Sequence, residues 1–247
     1  KSYTEDDVFF LNERWHCFDA HSSLSSSNKN DLLSHLNAQL KTTKKQLQEA
    51  NHIVITLGTS WVYRFLETDT IVANCHKVPQ KKFLKEILSV DEIVASLEAI
   101  LVLIKLANPK ASVLFTISPV RHLKDGFTQN QQSKSHLISA IHQVVEPRNN
   151  THYFSSYEIM MDELRDYRFY AEDMIHPNQT AINYIWKKFV NAWISEESKE
   201  TMKEIATIQN GLNHRPFNPN SKEHQQFLQG LEAKIKTLQE KYSFIDL

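Results

Sequence analysis

The chain has 247 residues, of which 28 are basic and 29 are acidic, so its net charge at pH 7 is −1. Nearly balanced charges without a dense basic run argue against nucleic acid and membrane surfaces as partners. The longest apolar stretch, at residues 100–106, is interrupted by Lys105 and is too short to span a bilayer. The sequence therefore predicts a soluble protein of one large domain or two small ones.

Cysteine and glycine usage narrows the expected chemistry. Cys17 and Cys75 are too few for a disulfide framework and predict free thiols in a reducing compartment. We expect a cytoplasmic location, because the chain opens without an apolar leader. Export is left open, because the chain also lacks an initiator Met and its true N-terminus is expected to be missing. None of the four glycines lies in a phosphate-binding pattern, so no nucleotide and no other cofactor is expected.

The first half of the chain shows clear periodicities. Residues 1–28 are aromatic and serine-rich and predict strand and loop. Leucines at helical spacing predict a helix over residues 30–50. The β-branched run His52–Leu57, which ends at Gly58, predicts a buried parallel strand.

Further elements follow from the same signals. Ser89 and Glu92 form a capping-box pattern at the start of a helix. Pro177 suits the first turn of another helix. In chain order we predict hairpin strands at 61–65 and 70–74, a helix at 89–107, a strand at 112–118, a helix at 131–145, a strand at 151–154, and helices at 156–164, 180–194, 199–209 and 222–242.

Alternating strands and helices are typical of parallel βαβ units with right-handed crossovers. The sequence therefore predicts an α/β fold with a parallel sheet. Residues 1–195 are expected to form the α/β domain, lacking its first strand, and residues 196–247 a C-terminal helical extension whose heptads are too few for a coiled coil.

Candidate catalytic residues lie in a loop near the end of the predicted domain. In open α/β sheets the ligand crevice lies beyond the carboxyl ends of the strands. An aspartate three residues before a histidine, Asp173 and His176, can place its carboxylate against one imidazole nitrogen and orient a general base. The alternative is that both residues only cap the following helix, because this spacing is common by chance.

Two strand-following segments supply further candidates. Gly58, Thr59 and Ser60 follow the first predicted strand, where backbone N–H groups and a hydroxyl could bind an oxyanion; a plain turn is the alternative. Arg121 and His122 follow the second strand and are candidates for binding an anionic group or forming the pocket rim. The alternative for them is an exposed loop pair.

Two other groupings are less favoured. Cys75 and His76 resemble a thiol-protease pair, but adjacent side chains on a strand point to opposite faces. The histidines, cysteine and aspartate between His16 and His21 match no zinc spacing, so a packed aromatic strand is favoured over a metal site.

Several phrases together resemble one family. They are LGTSWVY (57–63), VANCHKVP (72–79), LSVDEIV (88–94), SPVRHLKDG (118–126), YEIMMDELRDYRFYAEDMIHP (157–177) and NHRPFNP (213–219). As a set they resemble the GSCFA family, a bacterial branch similar to SGNH/GDSL esterases and lipases, and they span most of the chain.

The resemblance implies a flavodoxin-like three-layer sandwich that hydrolyses esters with a Ser-His-Asp triad. The family's D-x-x-H motif corresponds to Asp173 and His176. The Gly58–Ser60 turn resembles the oxyanion block of such enzymes, which usually carries Asn where this chain has Ser60. Asn74, within VANCHKVP, is counted among the candidate substrate-binding residues.

The nucleophile is the missing member of this set. The family name spells a Gly-Ser-Cys-Phe-Ala motif near the N-terminus whose serine is the implied nucleophile, and this chain contains no such string. We expect that serine upstream of Lys1. The alternative is a serine within the chain, with Ser60 or Ser118 as candidates by position.

Two functions from different classes follow. The first is a serine esterase that acts on a small ester or an acylated carbohydrate, without metal or cofactor. The second is a non-catalytic carbohydrate-binding or scaffolding domain with the same fold. A nucleotide-binding α/β protein is third, and the oligomeric state is left open.

Overall fold

The computed structural model describes residues 2–245, and the chain divides into two compact units, residues 1–185 and 186–247. The strands are β1 (Phe9–Leu11), β2 (Arg14–His16), β3 (His52–Leu57), β4 (Trp61–Phe65), β5 (Thr70–Val72), β6 (Phe83–Ile87), β7 (Ser112–Ile117) and β8 (Thr151–Phe154). The helices are α1 (Lys29–Glu49), α2 (Val90–Ala107), α3 (Phe127–Val144), α4 (Ser156–Glu158), α5 (Gln179–Trp193), α6 (Glu196–Leu212) and α7 (Lys222–Lys241). No helix within residues 2–245 is both long and apolar enough to cross a membrane.

The central sheet of the first unit is parallel, with strand order β3-β7-β8. His52 lies opposite Ser112, and Val113 lies opposite Thr151. All three strands were predicted, β3 and β7 from their β-branched runs, and the α/β fold class with a parallel sheet is confirmed. β7 is the central strand and its residues 113–117 are all buried. β3 was also predicted to be buried, but within residues 2–245 it is an edge strand and its Val54 is 54% exposed.

The main core lies between this sheet and two helices. Ile93 and Leu97 of α2 and Leu137 and Ile141 of α3 are buried against Phe115 of β7. α2 begins with the expected capping box, in which Glu92 Oε2 accepts a hydrogen bond from the Ser89 amide at 2.8 Å and Ser89 Oγ accepts one from the Glu92 amide. The apolar stripe of each helix therefore faces the sheet.

A second sheet is antiparallel, with strand order β5-β4-β6. The hairpin of β4 and β5 is present as predicted, but β6 was not anticipated. It pairs with β4 in an antiparallel ladder from Trp61 opposite Ile87 to Phe65 opposite Phe83. Across the pair, Arg64 Nε donates to Glu86 Oε1 at 2.7 Å and the Lys85 ammonium lies over the Trp61 ring. The adjacent charges of Lys85 and Glu86 interrupt the apolar residues of this short segment, so the sequence gives no strand periodicity there.

Three local expectations need correction. Cys75 and His76 lie on a turn beyond the end of β5, with a positive φ at His76, rather than on a strand. Residues 156–164 form a short α turn followed by a π turn (Ile159–Glu163) instead of one helix. Pro177 pairs with Tyr170 before α5 begins and is therefore outside the first helical turn.

The second unit contains the predicted C-terminal helices. α6 and α7 bury Ile208, Leu231 and Leu238 between them. Both are amphipathic, so each helix hides its apolar stripe against the other.

Candidate active site

The loop of Asp173 and His176 is closed by backbone contacts between its two ends. Tyr170 and Pro177 form an antiparallel bridge, and the Ala171 amide donates to the His176 carbonyl at 2.8 Å. Inside the loop, Met174 has a φ of 59° and its amide donates to the Ala171 carbonyl. A left-handed residue in a short closed loop fixes the direction of the side chains that follow it.

Asp173 and His176 form a hydrogen-bonded pair. His176 Nδ1 lies 2.6 Å from Asp173 Oδ2, while Asp173 Oδ1 accepts from the amides of Ile175 and His176 at 2.9 and 3.0 Å. The amide of His176, its imidazole and the amide of Ile175 lower the pKa of Asp173 from 3.8 to about 2. Asp173 is therefore ionised at neutral pH and keeps the Nδ1 proton of His176 in place.

The second ring nitrogen of His176 is open. The His176 side chain is 60% exposed, and no residue in 2–245 forms a hydrogen bond with its Nε2. An imidazole oriented through Nδ1 with a free Nε2 has the geometry of a general base. The Asp173–His176 pair is not needed to cap α5, because Asn178 Oδ1 accepts a hydrogen bond from the Ala181 amide in the first turn of that helix.

The loop after β7 lies against this histidine loop. The Arg121 amide donates to the Ile175 carbonyl at 3.3 Å. The Arg121 guanidinium lies 4.0 Å from the centre of the Tyr170 ring and 5.2 Å from that of Tyr167, and its Nε donates to the Tyr170 hydroxyl. Within residues 2–245 no carboxylate is paired with it, so its charge is balanced only by the two tyrosines.

His122 joins the loop after β7 to the turn after β3. A Cβ atom at Gly58 would lie 3.3 Å from His122 Nε2, so glycine permits this approach. Burial, followed by the charges of Lys134 and His176, lowers the pKa of His122. Gly58, His122 and His176 therefore share one edge of the sheet, beyond the carboxyl ends of β3 and β7.

Thr59 and Ser60 are held by α3. Ser60 is 2% exposed, its Oγ lies 3.1 Å from Ser133 Oγ, and its amide donates to Ser133 Oγ at 2.8 Å. Thr59 Oγ1 also lies 2.9 Å from Ser133 Oγ. The hydroxyl and the amide of Ser60 are thus engaged inside the protein.

Asn74 and Ser118 have other contacts. Asn74 Oδ1 accepts from the His76 amide at 2.9 Å, and the Asn74 amide donates to the Phe18 carbonyl at 3.1 Å. Ser118 Oγ accepts from the Val120 amide at 3.3 Å. Within residues 2–245, neither side chain forms a hydrogen bond with the Asp173–His176 loop.

Three polar residues of α3 were missed by the sequence analysis. Asn130, Ser133 and Lys134 are 4%, 1% and 1% exposed. Asn130 Oδ1 accepts from the His122 amide at 2.8 Å, and Lys134 Nζ donates to the carbonyls of Gly58 and Ser118, both at 2.7 Å. Polar residues at i, i+3 and i+4 in line with the apolar Leu137 and Ile141 are the signal that could have revealed them.

A parallel sheet with a hydrogen-bonded His–Asp pair beyond its carboxyl edge defines the class as α/β. The GSCFA family model matches residues 1–189, and the model of the GSCFA domain protein, C-terminal domain, matches residues 205–247. The chain therefore belongs to the GSCFA family. A search of curated proteins found no match.

Proposed function

We propose that this chain supplies the histidine and aspartate of a Ser-His-Asp hydrolase that cleaves esters. The observation that carries the proposal is the 2.6 Å contact between His176 Nδ1 and Asp173 Oδ2, in a histidine whose side chain is 60% exposed. A histidine fixed in this way accepts a hydroxyl proton through Nε2, while the carboxylate stabilises the imidazolium that forms.

The serine is proposed to lie on a segment N-terminal to Lys1. Within residues 2–245, β3 pairs only with β7, so its other edge carries unpaired backbone groups. A parallel strand added at that edge would end beside Gly58, at the same edge of the sheet as His176. The burial of Ser60 and its bonds to Ser133 disfavour it as an alternative nucleophile.

In the proposed reaction, the serine oxygen attacks the ester carbonyl carbon while His176 Nε2 takes the hydroxyl proton. The carbonyl oxygen becomes an oxyanion that backbone N–H groups of the Gly58–Thr59 turn stabilise. Collapse of the intermediate expels the alcohol, which takes the proton from His176. A water molecule, activated by the same histidine, then releases the acid and restores the serine.

The expected substrate is a small ester or an acylated carbohydrate. Arg121 has no carboxylate partner within residues 2–245, which favours a substrate carrying an anionic group. We propose neither a nucleic acid nor a membrane as partner. A cytoplasmic location is proposed because neither Cys17 nor Cys75 forms a disulfide within residues 2–245, and export is left open.

The test uses a form of the protein that extends N-terminal to Lys1, a fluorophosphonate probe and short-chain nitrophenyl esters. The extended form should be labelled on serine and should hydrolyse the esters, and His176→Ala should abolish both. His142→Ala, an exposed histidine near the end of α3, is the matched control and should retain both activities.

Two outcomes would contradict the proposal. Equal hydrolysis by the 247-residue chain would place the nucleophile inside it, with Ser118 and Ser60 as the residues to mutate. Absence of labelling in both forms would favour the non-catalytic carbohydrate-binding or scaffolding function instead.

A further inference from the structure

Lys134 is a buried cation without an acidic partner. Its side chain is 1% exposed, and no carboxylate in residues 2–245 forms an ion pair with it. Burial lowers its pKa from 10.5 to about 8. Burying a charge is costly unless its hydrogen-bond donors are satisfied. The position of the two carbonyls that Lys134 binds is therefore informative.

Those two carbonyls are the first ones beyond the ends of β3 and β7. Gly58 follows β3 and Ser118 follows β7, and each carbonyl lies 2.7 Å from Lys134 Nζ. Lys134 also lies 5.1 Å from the centre of the Tyr157 ring. Its ammonium group is therefore held on three sides at the edge of the sheet where His122 and His176 lie.

The position of Lys134 coincides with the end of a hydrogen-bond ladder. In a parallel pair of strands, the carbonyl of each bonded residue accepts from the amide of the residue that follows its partner. The amide of the same residue donates to the carbonyl of the residue that precedes its partner. The Ser112 amide donates to Asn51, and the Ser118 amide donates to Leu57, both at 2.9 Å. Continued by one step, this pattern would run from the Thr59 amide to the Ser118 carbonyl.

That last bond is absent. The Ser118 carbonyl accepts from Lys134 instead, and no residue in 2–245 accepts from the Thr59 amide. The Gly58 carbonyl, which Lys134 also binds, belongs to the same peptide unit as the Thr59 N–H. A cation bonded to the carbonyl polarises that peptide unit and makes its N–H a stronger donor.

We propose that Lys134 ends the β3–β7 ladder and thereby keeps the Thr59 N–H free to bind the oxyanion of the substrate. The oxyanion role rests on the proposed hydrolase function. Lys134 itself is a positioning residue, because its ammonium is buried and acts through the peptide unit between Gly58 and Thr59.

The first experiment needs no catalysis. Amide hydrogen exchange of the 247-residue chain should show an unprotected Thr59 N–H. In Lys134→Met, the Ser118 carbonyl is released to Thr59, and exchange at Thr59 should slow by roughly five- to tenfold, as one added hydrogen bond would cause. Lys134→Arg, which can still donate to both carbonyls, should leave Thr59 unprotected. Protection of Thr59 in the unmodified chain, or no change in folded Lys134→Met, would overturn the ladder-ending role.

The second experiment measures ester hydrolysis in the N-terminally extended form. Lys134→Met should lower kcat by roughly a hundredfold with little change in KM, because an oxyanion donor acts in the transition state. Lys134→Arg should restore most of the rate. The matched control is Lys105→Met, since Lys105 Nζ donates to the Ala111 carbonyl at 2.8 Å before the opposite end of β7.

The outcomes separate this inference from the proposed function. Wild-type kcat in a folded Lys134→Met variant would overturn the oxyanion role while the hydrolase function stands. An equal loss in Lys105→Met would also overturn it, by showing a general stability effect. If no form hydrolyses an ester, the proposed function and the oxyanion role fail together, and hydrogen exchange alone decides whether Lys134 ends the ladder.

Discussion

His176 and His76 both lie in turns and both use one ring nitrogen, but their partners differ. His176 is 60% exposed and binds an ionised carboxylate through Nδ1. His76 is 5% exposed, its Nε2 lies 2.7 Å from the Cys17 carbonyl, and its Nδ1 has no hydrogen-bond partner within residues 2–245. The proposed proton transfer requires a ring that is both oriented and accessible, so it is proposed for His176, whereas the buried ring of His76 is proposed to serve packing.

The largest expected effect tests the chemical half of this comparison. In the N-terminally extended form, His176→Ala should lower kcat for nitrophenyl esters by a factor on the order of a thousand or more. Its melting temperature should change little, because the side chain is mostly exposed. A large loss of stability would instead give His176 a structural role like that of His76.

A smaller loss is expected when the carboxylate alone is changed. Asp173→Asn keeps a side chain of the same shape but loses the charge that holds the imidazole, so kcat should fall by one to two orders of magnitude less than in His176→Ala. Ester hydrolysis at saturating substrate measures this. A loss equal to that of His176→Ala would mean that the imidazole cannot act at all without Asp173.

His76→Ala should reverse the pattern. Removal of a buried ring and of its bond to the Cys17 carbonyl should destabilise the first unit by about 2–3 kcal/mol, measured by urea unfolding. The kcat of the folded protein should be unchanged. A catalytic loss without a loss of stability would contradict the division of roles.

The smallest effect is a pH dependence of stability. Burial, opposed by the Cys17 carbonyl and reinforced by His16 and His21, lowers the pKa of His76 below its ordinary 6.5. The unfolded chain therefore binds more protons than the folded one below about pH 6.5, so this contribution to stability is present above that pH and falls as the solution is acidified. In His76→Phe, the urea midpoint should depend less on pH between about pH 7 and pH 5. An unchanged slope of the midpoint against pH would show that His76 does not titrate on unfolding.

Some features of the site were predictable because their causes are local. The β-branched runs mark β3 and β7, and within residues 2–245 only β7 of these two is buried on both faces. Asp173 and His176 are three residues apart, so one short loop is enough to bring carboxylate and imidazole together. The capping box of Ser89 and Glu92 is local for the same reason.

The tertiary structure decided what happens between distant segments. Ser133 and Ser60 are 73 residues apart, and Lys134 and Gly58 are 76 apart. A polar residue on an amphipathic helix can face water or a strand end, and periodicity alone does not distinguish the two. The packing of α3 against the sheet turned Asn130, Ser133 and Lys134 inward and buried the Ser60 hydroxyl. Within residues 2–245 it also left the Thr59 amide without an acceptor. Each of those outcomes depends on the relative positions of elements that the sequence specifies one at a time.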